Sequence, residues 1–232
     1  MCENVNNENN NLSHTSLKNI MLPNEWVLYL YDKQLFKKLA NRSNFQAKPY
    51  KENYVIKNMN DLVFLLHLMK IKVNSNGMSN KINLDMNDYI IMRKGIEPIW
   101  EDPKNYNGGT FTIKIAHEKG YDLWSTFIMY MLGETLTNEM NNINGITVSY
   151  ISDTSSNSYT YIKIWDAKPD RTRDQFVNIL PINILEKIKD ESLMYSQNNK
   201  KKDFGVENII KKLHNNSYGN REKGGFTRKK RY

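Results

Sequence analysis

The sequence predicts an α+β fold in which helices cover one face of an antiparallel sheet. Several short segments alternate apolar and polar residues with the period of two of a half-buried strand. Fewer segments repeat apolar residues at three- and four-residue spacing, the stripe of an amphipathic helix. Strand-like segments outnumber helix-like ones, and most of them can pair antiparallel, so the helices must stack on one face to close a core.

Taken in order, the strand-like segments are residues 25–31 (EWVLYLY), 53–57, 88–93, 110–116, 145–151 and 159–165. In TFTIKIA (110–116) the alternation is clearest, with Phe111, Ile113 and Ile115 on one face. Three segments read as helices. Residues 59–71 place Leu62, Leu65, Leu66 and Met69 on one stripe, and residues 122–137 do the same with Leu123, Phe127, Tyr130 and Met131. Residues 169–189 carry Phe176, Val177, Leu180 and Leu185, with Pro181 expected to break or kink the helix. Val206, Ile209, Ile210 and Leu213 suggest a short further helix.

The 232 residues suffice for one large domain, and 39% hydrophobic content with 11% aromatics predicts a globular body. No apolar run reaches the length needed to span a bilayer, and the first residues lack the basic and apolar regions of a signal peptide. The sole cysteine, Cys2, precludes an intramolecular disulfide or a cysteine zinc site and fits a reducing, cytoplasmic setting. The expected organisation is a disordered Asn-rich leader (1–22), a central domain (23–199) and a basic C-terminal segment (200–232). The net charge of +8 sits in that last segment, where 11 Lys/Arg face 3 Asp/Glu, whereas residues 1–199 hold 22 of each sign. A basic tail is either a solvated terminus or a contact for a polyanion such as RNA. The many asparagines elsewhere read as nucleotide composition of the genome rather than function.

Residues 94–109, KGIEPIWEDPKNYNGG, form a loop between two strands, punctuated by Gly95, Pro98, Pro103, Gly108 and Gly109. Trp100 on such a loop is either a core anchor or a binding face. Its pairing with Glu101 suggests the second. A 7-methylguanine base is cationic, an indole face attracts cations, and stacking adds roughly 1–3 kcal/mol per base. A neighbouring carboxylate can accept the N1–H and the exocyclic amine of guanine together.

This stretch resembles the signature of the translation initiation factor 4E family, the messenger-RNA cap-binding proteins. The resemblance covers roughly residues 24–195 and includes Trp26 in NEWVLYLY, Asp122-Leu123-Trp124 with Met131-Leu132-Gly133-Glu134, and Ile162-Lys163-Ile164-Trp165. It implies a curved antiparallel sheet backed on its convex face by about three helices, with the 7-methylguanosine cap bound on the concave face. It assigns Trp100 to base stacking, Glu101 to guanine recognition and Trp165 to the N7-methyl contact, the last being otherwise a strand-end core residue. The second stacking aromatic is Phe45, in Phe45-Gln46-Ala47 where the family has Trp, or alternatively Tyr50.

The family's three phosphate-gripping cations fall at Ile151, Tyr161 and Thr110, none of them basic. Lys200, Lys201, Lys202, Arg228, Lys229, Lys230 and Arg231 of the tail are expected to replace them, with Arg171 and Arg173 as further candidates. On the convex face the family binds scaffold and repressor proteins. Its contacts there correspond to Val63, to Ser125 and Thr126, and to Ile20-Met21, all altered. Val63 keeps apolar character, for a partner of the factor 4G scaffold type or for plain packing. The resemblance thus implies a monomeric protein, without cofactor, that binds capped messenger RNA and supports translation initiation. The alternative is a cap-binding repressor or sequestering protein lacking the scaffold contact. A general single-stranded RNA binder is a third reading. An enzyme is not expected: His14, His67, His117 and His214 show no metal or hydrolase spacing, and no phosphate-cradling glycine motif occurs.

Overall fold

The computed structural model describes residues 14–35, 50–73, 77–82, 87–152 and 158–199. Its helices are α1 (His14–Leu17), α2 (Met59–Leu68), α3 (Pro103–Tyr106), α4 (Gly120–Leu132), α5 (Arg173–Val177) and α6 (Ile182–Ile188). Its strands are β1 (Met21–Asp32), β2 (Tyr50–Asn58), β3 (Lys70–Val73), β4 (Gly77–Ile82), β5 (Asn87–Arg93), β6 (Gly109–Ala116), β7 (Ile143–Ser152), β8 (Ser158–Asp166) and β9 (Ser192–Gln197). Seven strands make one antiparallel sheet in the order β2-β1-β5-β7-β8-β6-β9, and β3 pairs separately with β4. The sheet is curved, with the α+β architecture that the sequence predicts.

Strand alternation divides the side chains between two faces. On β8, Thr160, Ile162, Ile164 and Asp166 are buried toward the helices, whereas Tyr159, Tyr161, Lys163 and Trp165 take the opposite face. On β6, Phe111, Ile113 and Ile115 point into the helix-side core as their alternation predicts. That core receives Leu62, Leu65 and Met69 from α2 and its C-cap, Leu123, Trp124, Phe127, Ile128 and Met131 from α4, and Ile184 and Ile188 from α6. Phe176 of α5 stacks on Phe111 at 4.5 Å between ring centroids. A smaller cluster forms on the other, concave face, from Val27, Tyr29, Ile90, Met92 and Ile96, with Trp165 packed against it.

Local chemistry sets the helix limits. α2 opens with a capping box: the Asn58 side chain accepts from the Asp61 N–H, and the Asp61 carboxylate accepts from the Asn58 N–H. The helix anticipated over 59–71 stops at Leu68, because Lys-Ile-Lys-Val switches to a period of two and becomes β3. The helix anticipated over 122–137 spans Gly120–Leu132. Beyond it Glu134 turns to φ +57°, a conformation held by Arg93, whose guanidinium donates to both Glu134 oxygens at 2.8 and 2.7 Å. Pro181 does interrupt residues 169–189, which form α5 and α6 rather than one helix. β9 is an addition to the strands read from the sequence: Leu193 and Tyr195 pack against the core, while Ser192, Met194 and Ser196 blur the alternation. The helix suggested at 206–213 lies outside the described residues, as do the leader up to residue 13 and the segment from residue 200.

Candidate functional site

The concave face carries a cleft of about 560 Å³. Its floor is built by the outward-facing residues of β6, β7, β8 and β9: Thr110 and Thr112, Ser149 and Ile151, Tyr161, Lys163 and Trp165, and Met194 and Ser196. Lys33, Asp88, Trp100 and Asn198 complete the wall. Trp100 and Trp165, far apart in sequence, therefore border one cavity.

The loop that carries Trp100 runs from the end of β5 to the start of β6, and buried asparagines hold its shape. Asn105, 1% exposed, donates through Nδ2 to the carbonyl oxygens of Glu97 and Ile99 at 3.0 and 2.8 Å. Asn144 Nδ2 donates to Asn105 Oδ1 at 2.9 Å and to the Lys104 carbonyl at 2.8 Å. Asn198 Nδ2 donates to the Asn105 carbonyl at 2.8 Å. A planar amide offers donor and acceptor side by side, so three asparagines cross-link the loop, adding to the bonds that its Glu97, Ile99 and Asn105 carbonyls accept from backbone N–H groups. These asparagines, read from the sequence as compositional, are structural. Gly108 and Gly109 let the loop return against β8 and β9: a Cβ on Gly108 would collide with the Asp166 carbonyl oxygen, and one on Gly109 would lie 2.6 Å from that of Ser196.

Trp100 is half-buried and stacks on Tyr106, with centroids 6.2 Å apart and planes 28° from parallel. The two acids after it have different surroundings. Asp102 caps α3, accepting from the N–H groups of Lys104 at 2.8 Å and Glu97 at 2.9 Å. Glu101 is exposed, makes no hydrogen bond or ion pair among the described residues, and is not among the residues that line the cleft. Trp165 lies against the concave cluster, and its indole N–H donates to Thr147 Oγ1 at 2.8 Å, which fixes the ring's orientation.

Phe45 lies outside the described residues. Tyr50, its alternative, stands at the start of β2, edge-on to Tyr29 at 5.9 Å, with its hydroxyl donating to Glu97 Oε2 at 2.8 Å. It braces the Trp100 loop and does not line the cleft. Ile151, Tyr161 and Thr110, the three positions read as missing cations, do line it. Two lysines that the sequence reading did not single out, Lys33 and Lys163, line it as well. Strand parity with Trp165 was the available signal for Lys163.

Arg171 is placed elsewhere. It is 3% exposed, its Nε lies 2.6 Å from Asp166 Oδ2, and it donates to Glu139 Oε2 at 2.6 Å. Its charge is thus committed on the helix side of the sheet, which corrects its reading as a phosphate contact. Lys168 joins the same Glu139 at 2.9 Å, and these two cations hold the Glu139 carboxyl down at about 2. Burial pushes the Asp166 carboxyl up, against the opposing pull of the Tyr195 hydroxyl and of Arg171. Arg173 is exposed, pairs with Asp174 at 2.9 Å and lines a separate shallow depression beside β9. Lys200, Lys201, Lys202, Arg228, Lys229, Lys230 and Arg231 lie outside the described residues.

On the convex face, Val63 is 41% exposed beside Phe64 and Leu68, at 54% and 42%, so it projects from α2 rather than packing beneath it. Ile20 and Met21 are exposed too, and the Ile20 carbonyl accepts the first N–H of α2 from Met59. Thr126, by contrast, is buried, with its hydroxyl bonded back to the Asp122 carbonyl at 2.7 Å. Its reading as a partner contact is corrected by that burial. Ser125 is half-buried and donates to the same carbonyl.

Comparison with known proteins bears on the family and the fold. The family model described as Eukaryotic initiation factor 4E matches residues 21–212. A eukaryotic translation initiation factor 4E homolog of Acanthamoeba polyphaga mimivirus is 58% identical over 91% of this chain and 90% of its own length. Translation initiation factor 4E-1 of Caenorhabditis elegans is 29% identical over 45% of this chain and 50% of its own. Among solved structures, initiation factor 4E-3 of C. elegans, in complex with the 4E-binding protein Mextli and a cap analog, superposes with a TM-score of 0.54 at 17% identity, covering 79% of this chain and 95% of that one. Factor 4E-3 of Ascaris suum, complexed with an m2,2,7G cap, gives 0.52 at 19% identity, covering 77% and 91%. At those identities the superpositions speak for the fold; together with a family match over most of the sequence, they make this chain a member of the eukaryotic initiation factor 4E family.

Proposed function

We propose that the concave cleft binds the 7-methylguanosine cap of messenger RNA, and that the protein thereby supports translation initiation in the cytoplasm. The observation that carries this is the cleft itself: two indoles, Trp100 and Trp165, border one cavity, and the exposed carboxylate of Glu101, next to Trp100 in the chain, has no hydrogen bond or ion pair among the described residues. An aromatic face attracts the cationic base, and an open carboxylate pairs with its N–H edge while offsetting its charge. Phe45 remains the proposed second stacking partner. The tail lysines and arginines are proposed to contact the RNA beyond the cap. Membership of the family supports the reading, as do the cap ligands named for the Caenorhabditis and Ascaris structures.

The exposed apolar residues Val63, Phe64 and Leu68 of α2, with Ile20 and Met21 on the segment whose Ile20 carbonyl bonds the start of that helix, support a scaffold-type protein partner, since clustered exposed apolar side chains mark interaction sites. That favours an initiation role over the alternative of a cap-binding repressor. Capture of a factor 4G-type peptide by the wild type, lost on Val63→Asp, supports the first; no capture supports the second.

Titration with 7-methyl-GTP, followed by tryptophan fluorescence and compared with GTP, tests the cap reading. Quenching with a strong preference for the methylated nucleotide is expected. Equal affinity for both would refute a cap pocket.

A further inference from the structure

We propose that Lys163 is the cation that holds the phosphate next to the cap nucleoside, with Lys114 continuing the positive track along the same face. This rests on the cap-binding reading above. Lys163 stands two residues before Trp165 on β8, so both side chains leave the sheet on the concave side. Its strand neighbours are Thr112 on β6 and Thr147 on β7, so it rises from a floor of hydroxyls rather than carboxylates. Among the described residues it makes no ion pair and no hydrogen bond.

The other lysine of the cleft differs. Lys33 lies 2.6 Å from Asp88 Oδ1 and donates to the Tyr150 carbonyl at 3.1 Å. Asp88 is the one carboxylate among the described lining residues. Its charge and that of Lys33 cancel, and Lys163 is left as the net charge of the cavity. A cation on a half-buried floor gains more from an arriving phosphate than one in open water, because the effective dielectric is lower.

The location specifies which phosphate. Ile151, Tyr161 and Thr110 all line the cleft, and none can neutralise an anion. Lys163 lies one strand step, about 7 Å, closer to Trp165 than Tyr161 does. With the base against Trp165, as the cap-binding reading has it, a cation this close to that ring meets the phosphate attached to the nucleoside. Lys114 pairs in register with Tyr161 and is therefore diagonal to Lys163, and its ammonium sits 3.8 Å from the centroid of the Tyr159 ring. It can meet the phosphates that follow.

The test uses the full chain with Lys163→Gln, Lys163→Met and Lys163→Arg, each confirmed folded by its thermal transition. 7-Methylguanosine, its monophosphate and its triphosphate are titrated at two salt concentrations. In the neutral variants both nucleotides should bind about tenfold more weakly, while the nucleoside is unchanged. Nucleotide affinity should become less sensitive to salt, because one screened charge pair is lost, and Lys163→Arg should stay near wild type. Unchanged nucleotide binding in a folded neutral variant overturns the proposal. So does an equal loss for the nucleoside, which would place Lys163 at the base. If the wild type binds GTP as well as 7-methyl-GTP, the cap reading fails separately. Lys163 is then judged on GMP and GTP, a tenfold loss upholding the phosphate grip and no loss rejecting it.

Discussion

Glu101 and Asp102 are adjacent carboxylates, and their surroundings divide their work. Asp102 is consumed by backbone N–H groups of its own loop, whereas Glu101 is exposed and has no hydrogen bond or ion pair among the described residues. Replacing Trp100 by Ala should remove stacking and cation–π attraction together, about 2–3 kcal/mol, or roughly 30- to 150-fold in affinity for 7-methyl-GTP. Glu101→Ala should cost a comparable factor and, unlike the tryptophan change, relax selectivity for guanine over adenine, because the N–H edge loses its acceptor. Fluorescence titration of both folded variants checks this, and normal affinity in both would remove the site assignment. At this scale the sequence is informative where neighbours in sequence are proposed to act together, as for Trp100 and Glu101. It misled at Arg171, whose partner Glu139 comes from 32 residues earlier in the chain and whose burial against Asp166 depends on the helices above the sheet, and at Thr126, whose burial depends on which face of α4 meets the sheet.

The loop between β5 and β6 is an element without regular structure whose precision comes from Asn105, Asn144 and Asn198. Truncation of Asn105 to Ala removes the acceptor of one Asn144 N–H and takes from the Glu97 and Ile99 carbonyls the bonds that Asn105 adds to those from the Ile99 and Asp102 N–H groups, at about 1–3 kcal/mol for a group left unpaired where water cannot reach. The thermal transition should fall. Affinity for 7-methyl-GTP should fall as well, although Asn105 does not line the cleft, because Trp100 loses its fixed position. A lowered transition with unchanged affinity would show that the loop needs no such brace. Among regular elements, the break at Pro181 was legible because proline acts locally. The end of α4 was not, since Glu134 turns to a positive φ in the grip of an arginine 41 residues earlier in the chain.

Across the whole molecule, the cluster of Glu139, Lys168, Arg171, Asp166 and Tyr195 ties the segment before α5 to strands β8 and β9 on the convex side. Its pH dependence has a definite sign. The Glu139 carboxyl is lowered from 4.5 to about 2, chiefly by its bond with Lys168 and then by that with Arg171. Folding therefore gains from its ionisation above about pH 4.5, and the gain drains away as pH falls toward 2. Asp166 acts oppositely, because burial raises its carboxyl and ionisation there costs stability as pH rises through the raised value. Comparing wild type with Glu139→Gln isolates the first term. The difference in denaturant midpoint should be constant from pH 7 to 5 and narrow clearly by pH 3. A difference as wide at pH 3 as at pH 7 would refute the assignment.

By itself the sequence determined the fold class, six strands of the main sheet, and the identity of Trp100, Glu101 and Trp165 as the proposed base-binding group. The fold class and strands follow from strand alternation and helical stripes carried within a few consecutive residues, and Trp100 with Glu101 from an indole next to a carboxylate; Trp165 is proposed only through the resemblance of Ile162-Lys163-Ile164-Trp165 to the family. The tertiary structure alone decided which cations face the cleft. Lys163 and Lys33 enter it through strand parity and sheet order, Arg171 is withdrawn into a buried ion pair, and the asparagines become a brace. A cation's role depends on which carboxylates the fold brings within a few ångströms of it, and those contacts join residues distant in sequence.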